Sequence, residues 1–205
     1  DGTLFGSYGG GIRIWPSTAG VSTDRGGVWC TPCGYDIYRS TDNGVSWSVA
    51  FTNNFADRDR YFYTVDNDSS GNWLTTVPYG TLGFSNYAPS EVWRSANNGV
   101  SWSKVYTFPF EDTYFGRIRT DRAGNWILGT DWCEDDSLYT LYKSDDNGTS
   151  WTGVFKFTVP NIVVESVDCY NGKMLATDGR IALSLDGGTT WNFTAYNPAP
   201  YHSVR

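Results

Sequence analysis

Histidine and methionine occur once each in the 205 residues, as His202 and Met174, and 15 Lys and Arg face 22 Asp and Glu. A single histidine gives a Ser–His or Cys–His nucleophilic arrangement almost nothing to build on. The formal charge of −7 leaves no concentrated cationic face of the kind phosphate binding needs, so nucleic acid is not an expected partner. No apolar run approaches the roughly 20 residues that cross a bilayer, and no cationic start with an apolar stretch behind it marks a signal peptide. No transmembrane segment is expected. The sequence opens at Asp1 rather than Met, as a processed or excised product would.

What is abundant points to strands. Aromatic residues make up 17% and there are 23 glycines, a pairing that suits pleated surfaces joined by tight turns. An all-β chain follows. The four cysteines, Cys30, Cys33, Cys133 and Cys169, permit three disulfide pairings if all are oxidised. Disulfides are preferred to a zinc site, because only Cys30 and Cys33 have short ligand spacing. Asn67, Asn147 and Asn192 each open an N-glycosylation pattern, which together with paired cysteines predicts export to the cell surface or beyond.

Internal similarity organises the chain. IYRSTDNGVSW at 37–47, VWRSANNGVSW at 92–102, LYKSDDNGTSW at 141–151 and IALSLDGGTTW at 181–191 share Ser-x-Asp/Asn-x-Gly-x-Ser/Thr-Trp. A second similarity precedes them: DGTLFGSY at 1–8, GNWLTTVPY at 71–79, GNWILGTDW at 124–132 and NGKMLATDG at 171–179, each a Gly turn followed by an alternating strand. Residues 61–70, 115–123 and 164–170 read as the strand before that turn. Each unit is therefore strand A, Gly turn, strand B, loop, strand C, repeat turn, strand D. This predicts a single domain over 1–205, a four-bladed β-propeller of four-stranded antiparallel blades. The first unit lacks a strand A, and 201–205 are expected to supply it and close the ring. The alternative is a four-blade segment of a larger propeller.

The repeated motif resembles the Asp box of sialidases, sortilin-type receptors, xyloglucan-cleaving propellers and photosystem assembly factors. In those families the box is a structural turn on the face opposite the active site, a role the resemblance implies here. The residue chemistry agrees. Asp42, Asn97, Asp146 and Asp186 can accept backbone amides two residues on in an Asx turn. Gly44, Gly99, Gly148 and Gly188 permit positive φ. Trp47, Trp102, Trp151 and Trp191 suit apolar wedges between blades whose indole N–H finds an acceptor. Calcium is not expected at residues 145–148, which lack the distal Glu and flanking helices of a calcium loop. No metal or cofactor is predicted.

Function is expected on the opposite face, among loops carried by the rigid blades. The first B–C loop, placed at about 9–34, holds Arg13, Trp15, Arg25 and Trp29. Arg60, Tyr87, Tyr114 and Trp132 come from later loops, and all eight are candidate ligand-binding residues. Trp and Tyr beside carboxylates and Arg suit a glycan or a protein ligand. The expected function is an extracellular, non-enzymatic binding module. One alternative is a glycoside hydrolase of the sialidase-like superfamily, with Asp57 or Asp59 facing Glu134 or Asp135 at the ~5–10 Å such chemistry requires. Another is a structural unit of a larger surface assembly.

Overall fold

The computed structural model describes residues 20–53, 60–78, 80–81, 87–109, 113–133, 139–156, 164, 166–177 and 181–194; of residues 80, 81, 87, 113, 131–133 and 166 it describes the backbone. These residues form four antiparallel four-stranded sheets, with no helix among them. The first sheet is β1 (Ser22–Thr23), β2 (Trp29–Cys33), β3 (Asp36–Ser40) and β4 (Ser48–Thr52). The second is β5 (Val65–Asn67), β6 (Trp73–Val77), β9 (Glu91–Ser95) and β10 (Ser103–Thr107). A two-stranded ribbon, β7 (Gly80–Thr81) with β8 (Tyr87–Ala88), lies within its B–C connection. The third is β11 (Thr113–Thr120), β12 (Trp126–Cys133), β13 (Leu141–Ser144) and β14 (Thr152–Phe155). The fourth is β15 (Ser166–Tyr170), β16 (Lys173–Thr177), β17 (Ile181–Ser184) and β18 (Asn192–Phe193). This is the blade architecture of a β-propeller, with the A strands β1, β5, β11 and β15 meeting one another in sequence.

The first blade differs from expectation. Its strand A is Ser22–Thr23, paired Ser22 to Cys30 and Thr23 to Trp29, and its strand B is Trp29–Cys33. The B–C connection is only Gly34 and Tyr35, not a loop over 9–34. The sheet has four strands without 201–205; those residues, and 1–8 with Arg13 and Trp15, lie outside the described ones. The same Asp-held A–B turn recurs in the first three blades, whereas the fourth turns through Asn171 and Gly172 alone. Asp24, Asp68 and Asp121 each accept, on Oδ1, the amides two residues on at 2.7–2.8 Å. The same oxygens take the amides four residues on at 2.9–3.0 Å. Arg25, Ser69 and Arg122 occupy left-handed φ of 61–64° in these turns, a conformation costly for a side chain and held here by the Asp bonds.

The Ser-x-Asp/Asn repeat turns sit beside the A–B turns. The amides of Asn43, Asn98 and Gly187 donate to the carbonyls of Gly27, Gly71 and Gly172, so both kinds of turn share one face. Inside each repeat turn the serine hydroxyl donates to the Asp or Asn two residues on, at 2.7–2.9 Å, and accepts the glycine amide at 2.8–2.9 Å. The Asp or Asn oxygen takes the amide four residues on rather than two, at 2.8–2.9 Å. Each tryptophan donates Nε1 to the carbonyl of its turn glycine at 3.0–3.2 Å.

The core lies between blades. Cys30 and Ile37 of the first blade pack on Phe62, Val65, Trp73 and Trp102 of the second. Leu74 and Val92 of the second meet Phe115, Ile118, Leu128 and Trp151 of the third. Ile127 and Leu141 of the third meet Val167, Met174, Ala176 and Ala182 of the fourth. Near the axis, the buried Asp66 carboxylate joins three blades: it accepts the Ser22 hydroxyl at 2.9 Å and the Thr120 amide at 3.0 Å. Burial pushes its pKa up, against those donors and the charge of Arg119.

Cysteine and glycan expectations also change. No disulfide occurs among the described residues, where Cys30, Cys33 and Cys169 are free thiols. Three residues apart on one strand, Cys30 and Cys33 point to opposite sides and their Cα atoms lie ~10 Å apart, beyond disulfide reach. The side chain of Cys133 lies outside the described set. Asn67 is fully buried, with Nδ2 donating to Ser22 Oγ at 2.8 Å, so its amide is closed to a glycosyltransferase in the folded chain. Asn147 accepts the Trp126 indole N–H at 3.2 Å, and Asn192 is exposed on β18.

Candidate functional site

Because β5 and β11 run toward the turn face, their first residues mark the opposite, loop-bearing end. There Tyr61 and Tyr63, just ahead of β5, meet Tyr114 at the start of β11. The Tyr61 and Tyr114 hydroxyls hydrogen-bond to each other. The rings of Tyr63 and Tyr114 lie 5.9 Å apart at 81°, and those of Tyr61 and Tyr63 lie 6.1 Å apart at 63°. All three rings are half-buried, offering apolar edge and phenolic oxygen together. Main-chain bonds hold the strip in place: Tyr63 donates to Thr76 at 2.9 Å, and Phe62 donates to Gly34 of the neighbouring blade at 2.9 Å. Trp132 is the β12 register partner of Tyr114, which places a tryptophan backbone directly beside the cluster.

Arg60 adjoins the strip but is turned inward. It is buried, its Nη2 lies 3.1 Å from Glu91 Oε2 and donates to the Pro89 carbonyl at 3.0 Å. Glu91 also takes Lys104 Nζ at 3.0 Å and the Trp93 indole N–H at 2.9 Å. Arg60 therefore acts as a brace under the loop face, and its charge is already matched.

Arg25 and Trp29 do not belong to this face. Arg25 is the exposed second residue of the A–B turn, and Trp29 opens β2 at the turn end. The expected loop over 9–34 does not carry them, because β1, its turn and β2 occupy 22–33 and put the first B–C connection at Gly34 and Tyr35. Tyr87 lies on the β8 ribbon. Asp57, Asp59, Glu134 and Asp135 lie outside the described residues, as do Arg13 and Trp15. Tyr61 and Tyr63 went unrecognised as site residues because they fall inside a segment that reads simply as strand A. Their alternation with the buried Phe62 was the available signal.

No family model matches the chain. It is similar to a xyloglucanase of Paenibacillus sp, at 28% identity over 58% of this chain and 13% of the relative. It is similar also to the xyloglucanase Xgh74A of Acetivibrio thermocellus, at 26% identity over 82% of this chain and 23% of the relative. The chain thus spans less than a quarter of the length of these relatives. Among solved structures, the GH74 xyloglucanase from Xanthomonas campestris matches with a TM-score of 0.64 and 16% identity, over 91% of this chain and 32% of that one. YCF48 bound to D1 peptide matches with a TM-score of 0.56 and 14% identity, over 84% of this chain and 52% of that one. The likeness is one of fold, the β-propeller.

Proposed function

We propose that this chain is an extracellular carbohydrate-binding β-propeller unit of the Asp-box type, and that its ligand lies across Tyr61, Tyr63 and Tyr114. The observation that carries the proposal is the convergence of three half-buried tyrosines from two blades at the end opposite the repeat turns. Half-buried aromatic rings suit the C–H faces of sugar rings, and their hydroxyls suit sugar oxygens. The similarity to xyloglucanases makes xyloglucan the first ligand to test.

That similarity also favours a second reading, in which the chain contributes to glycoside cleavage with Asp57 or Asp59 opposite Glu134 or Asp135. YCF48 with its bound D1 peptide supports a protein ligand or an assembly role as the remaining alternative.

Affinity electrophoresis in gels containing xyloglucan tests the first reading. Retardation of the native chain, weakened roughly tenfold by Tyr114→Ala or Tyr61→Ala, corresponds to about 1.4 kcal/mol and is the expected outcome. Tyr170→Ala serves as control, since Tyr170 is 74% exposed at the turn end of β15. Equal mobility with and without polysaccharide, or equal loss in the control, contradicts the proposal. Release of reducing ends that disappears in Asp57→Asn or Glu134→Gln supports the hydrolase instead.

A further inference from the structure

We propose that the downstream face of the fourth blade is a docking surface for the chain's own residues 3–17, which add a fifth unit against it. Each described interface uses the same positions. The strand-B residue paired with the position just before the repeat-turn serine, and the apolar residue three before that serine, present a downstream pair: Cys30 with Ile37, Leu74 with Val92, Ile127 with Leu141. All six are fully buried by the following blade. Strand register assigns Leu175 and Ile181 to these positions in the fourth blade, with Leu183 where the earlier blades carry Arg39, Arg94 and Lys143. Ile181 is 45% exposed, and Leu175 and Leu183 are half-buried. Three aliphatic side chains thus stand where every other blade is covered.

The upstream side of the first blade is uncovered in the same way. Gly99, Gly148 and Gly188 are buried, whereas Gly44 and its Trp47 are half-buried. A β-carbon on Gly99 or Gly148 would strike Cys30 or Leu74 of the preceding blade, while one on Gly44 would meet only Trp47.

The occupant follows from the repeat. Thr3-Leu4-Phe5-Gly6-Ser7 carries the pattern of Trp126-Ile127-Leu128-Gly129-Thr130, and Ile14-Trp15-Pro16-Ser17 carries that of Val92-Trp93-Arg94-Ser95 and Leu141-Tyr142-Lys143-Ser144. Each described blade already has its own strands B and C, so this copy is surplus to all four. Residues 18–21 lead from it into β1, and four residues reach at most about 14 Å, which keeps it beside the uncovered first blade. Phe5 and Trp15 hold the places of Leu128 and Tyr142, both buried against the preceding blade, and so would cover Leu175, Ile181 and Leu183.

Cross-linking and hydrogen exchange on the full chain test this. In a Cys33→Ser background, Phe5→Cys with Leu175→Cys should form an intramolecular disulfide in the monomer, identified by peptide mapping. Deleting residues 1–19 should raise amide exchange across 173–184 by about tenfold or more. Cross-links between molecules only would make a second copy the occupant and overturn the proposal. So would absence of the cross-link with unchanged exchange in the truncated chain.

Discussion

A β-carbon on Gly99 would lie 2.6 Å from the Sγ of Cys30 and 3.4 Å from the Arg39 side chain. The second repeat turn is therefore seated on the first blade at a point with no room for a methyl group. Its φ of +80° adds a separate reason for glycine.

These two demands separate experimentally. Gly44 has φ of +83° but nothing nearer than Trp47 Cζ2 at 3.8 Å to a built β-carbon. Gly44→Ala should lose about 1–2 kcal/mol from the left-handed backbone alone. Gly99→Ala should lose that and about 1–3 kcal/mol more for overpacking. Urea unfolding midpoints at constant slope decide; equal losses at both sites would mean that the inter-blade seat is soft.

Arg60 and Glu91 lead to a second prediction. Both side chains are 8% exposed and 3.1 Å apart, so removing one leaves the other buried. Arg60→Ala should destabilise by about 3 kcal/mol, at the low end for a broken buried pair, because Lys104 still reaches Glu91. Binding measured well below the unfolding transition should be retained. Loss of binding without loss of stability would return Arg60 to the ligand surface.

The four repeat turns, their order and the strands flanking them were legible because each motif residue does local work within a few positions. Ser40, Asp42, Gly44 and Trp47 bond among themselves, so their spacing survives in the sequence. The first blade misled for a physical reason. DGTLFGSY and TDRGGVWCTP both follow a Gly turn with an alternating strand, and only the Asp-x-x-Gly-x-Trp spacing, shared by 24–29, 68–73 and 121–126, marks the second as the partner of β1. The tyrosine strip was not legible. Tyr61 and Tyr114 meet across a blade interface, and no local pattern encodes contacts between strands 53 residues apart.

The free thiols differ in reach. Burial pushes Cys30 up to about 12, and also raises Cys169, while Cys33 is exposed on the other side of β2 with a thiol raised by partial burial and by Asp36. Of these three thiols, a reagent such as DTNB at pH 8 should label Cys33 before Cys169 and leave Cys30 untouched until urea unfolds the chain. Reductant should leave the thermal midpoint unchanged. A midpoint that falls in reductant would reveal a disulfide after all.

Acid sensitivity closes on the repeat turns. The Ser46 hydroxyl and amide and the Ser40 hydroxyl hold the Asp42 carboxyl down to about 2, and Thr190 with Ser184 does the same for Asp186. A carboxyl whose folded pKa lies below its unfolded value near 4 stabilises above that value and loses its contribution as pH falls toward 2. Asp66 has the opposite sign: raised by burial, it favours the folded state as it takes up a proton, over a window that lies above the unfolded value. The turns must therefore be read below pH 4. Asn97 shows that an amide can occupy the same position, with its Oδ1 accepting the Ser101 amide at 2.9 Å. The Asp42→Asn, Asp186→Asn double variant should keep its fold at pH 7 and show a shallower fall of thermal midpoint between pH 4 and pH 2 than the native chain. Parallel curves would mean that these exposed carboxylates are ionised alike in the folded and unfolded states.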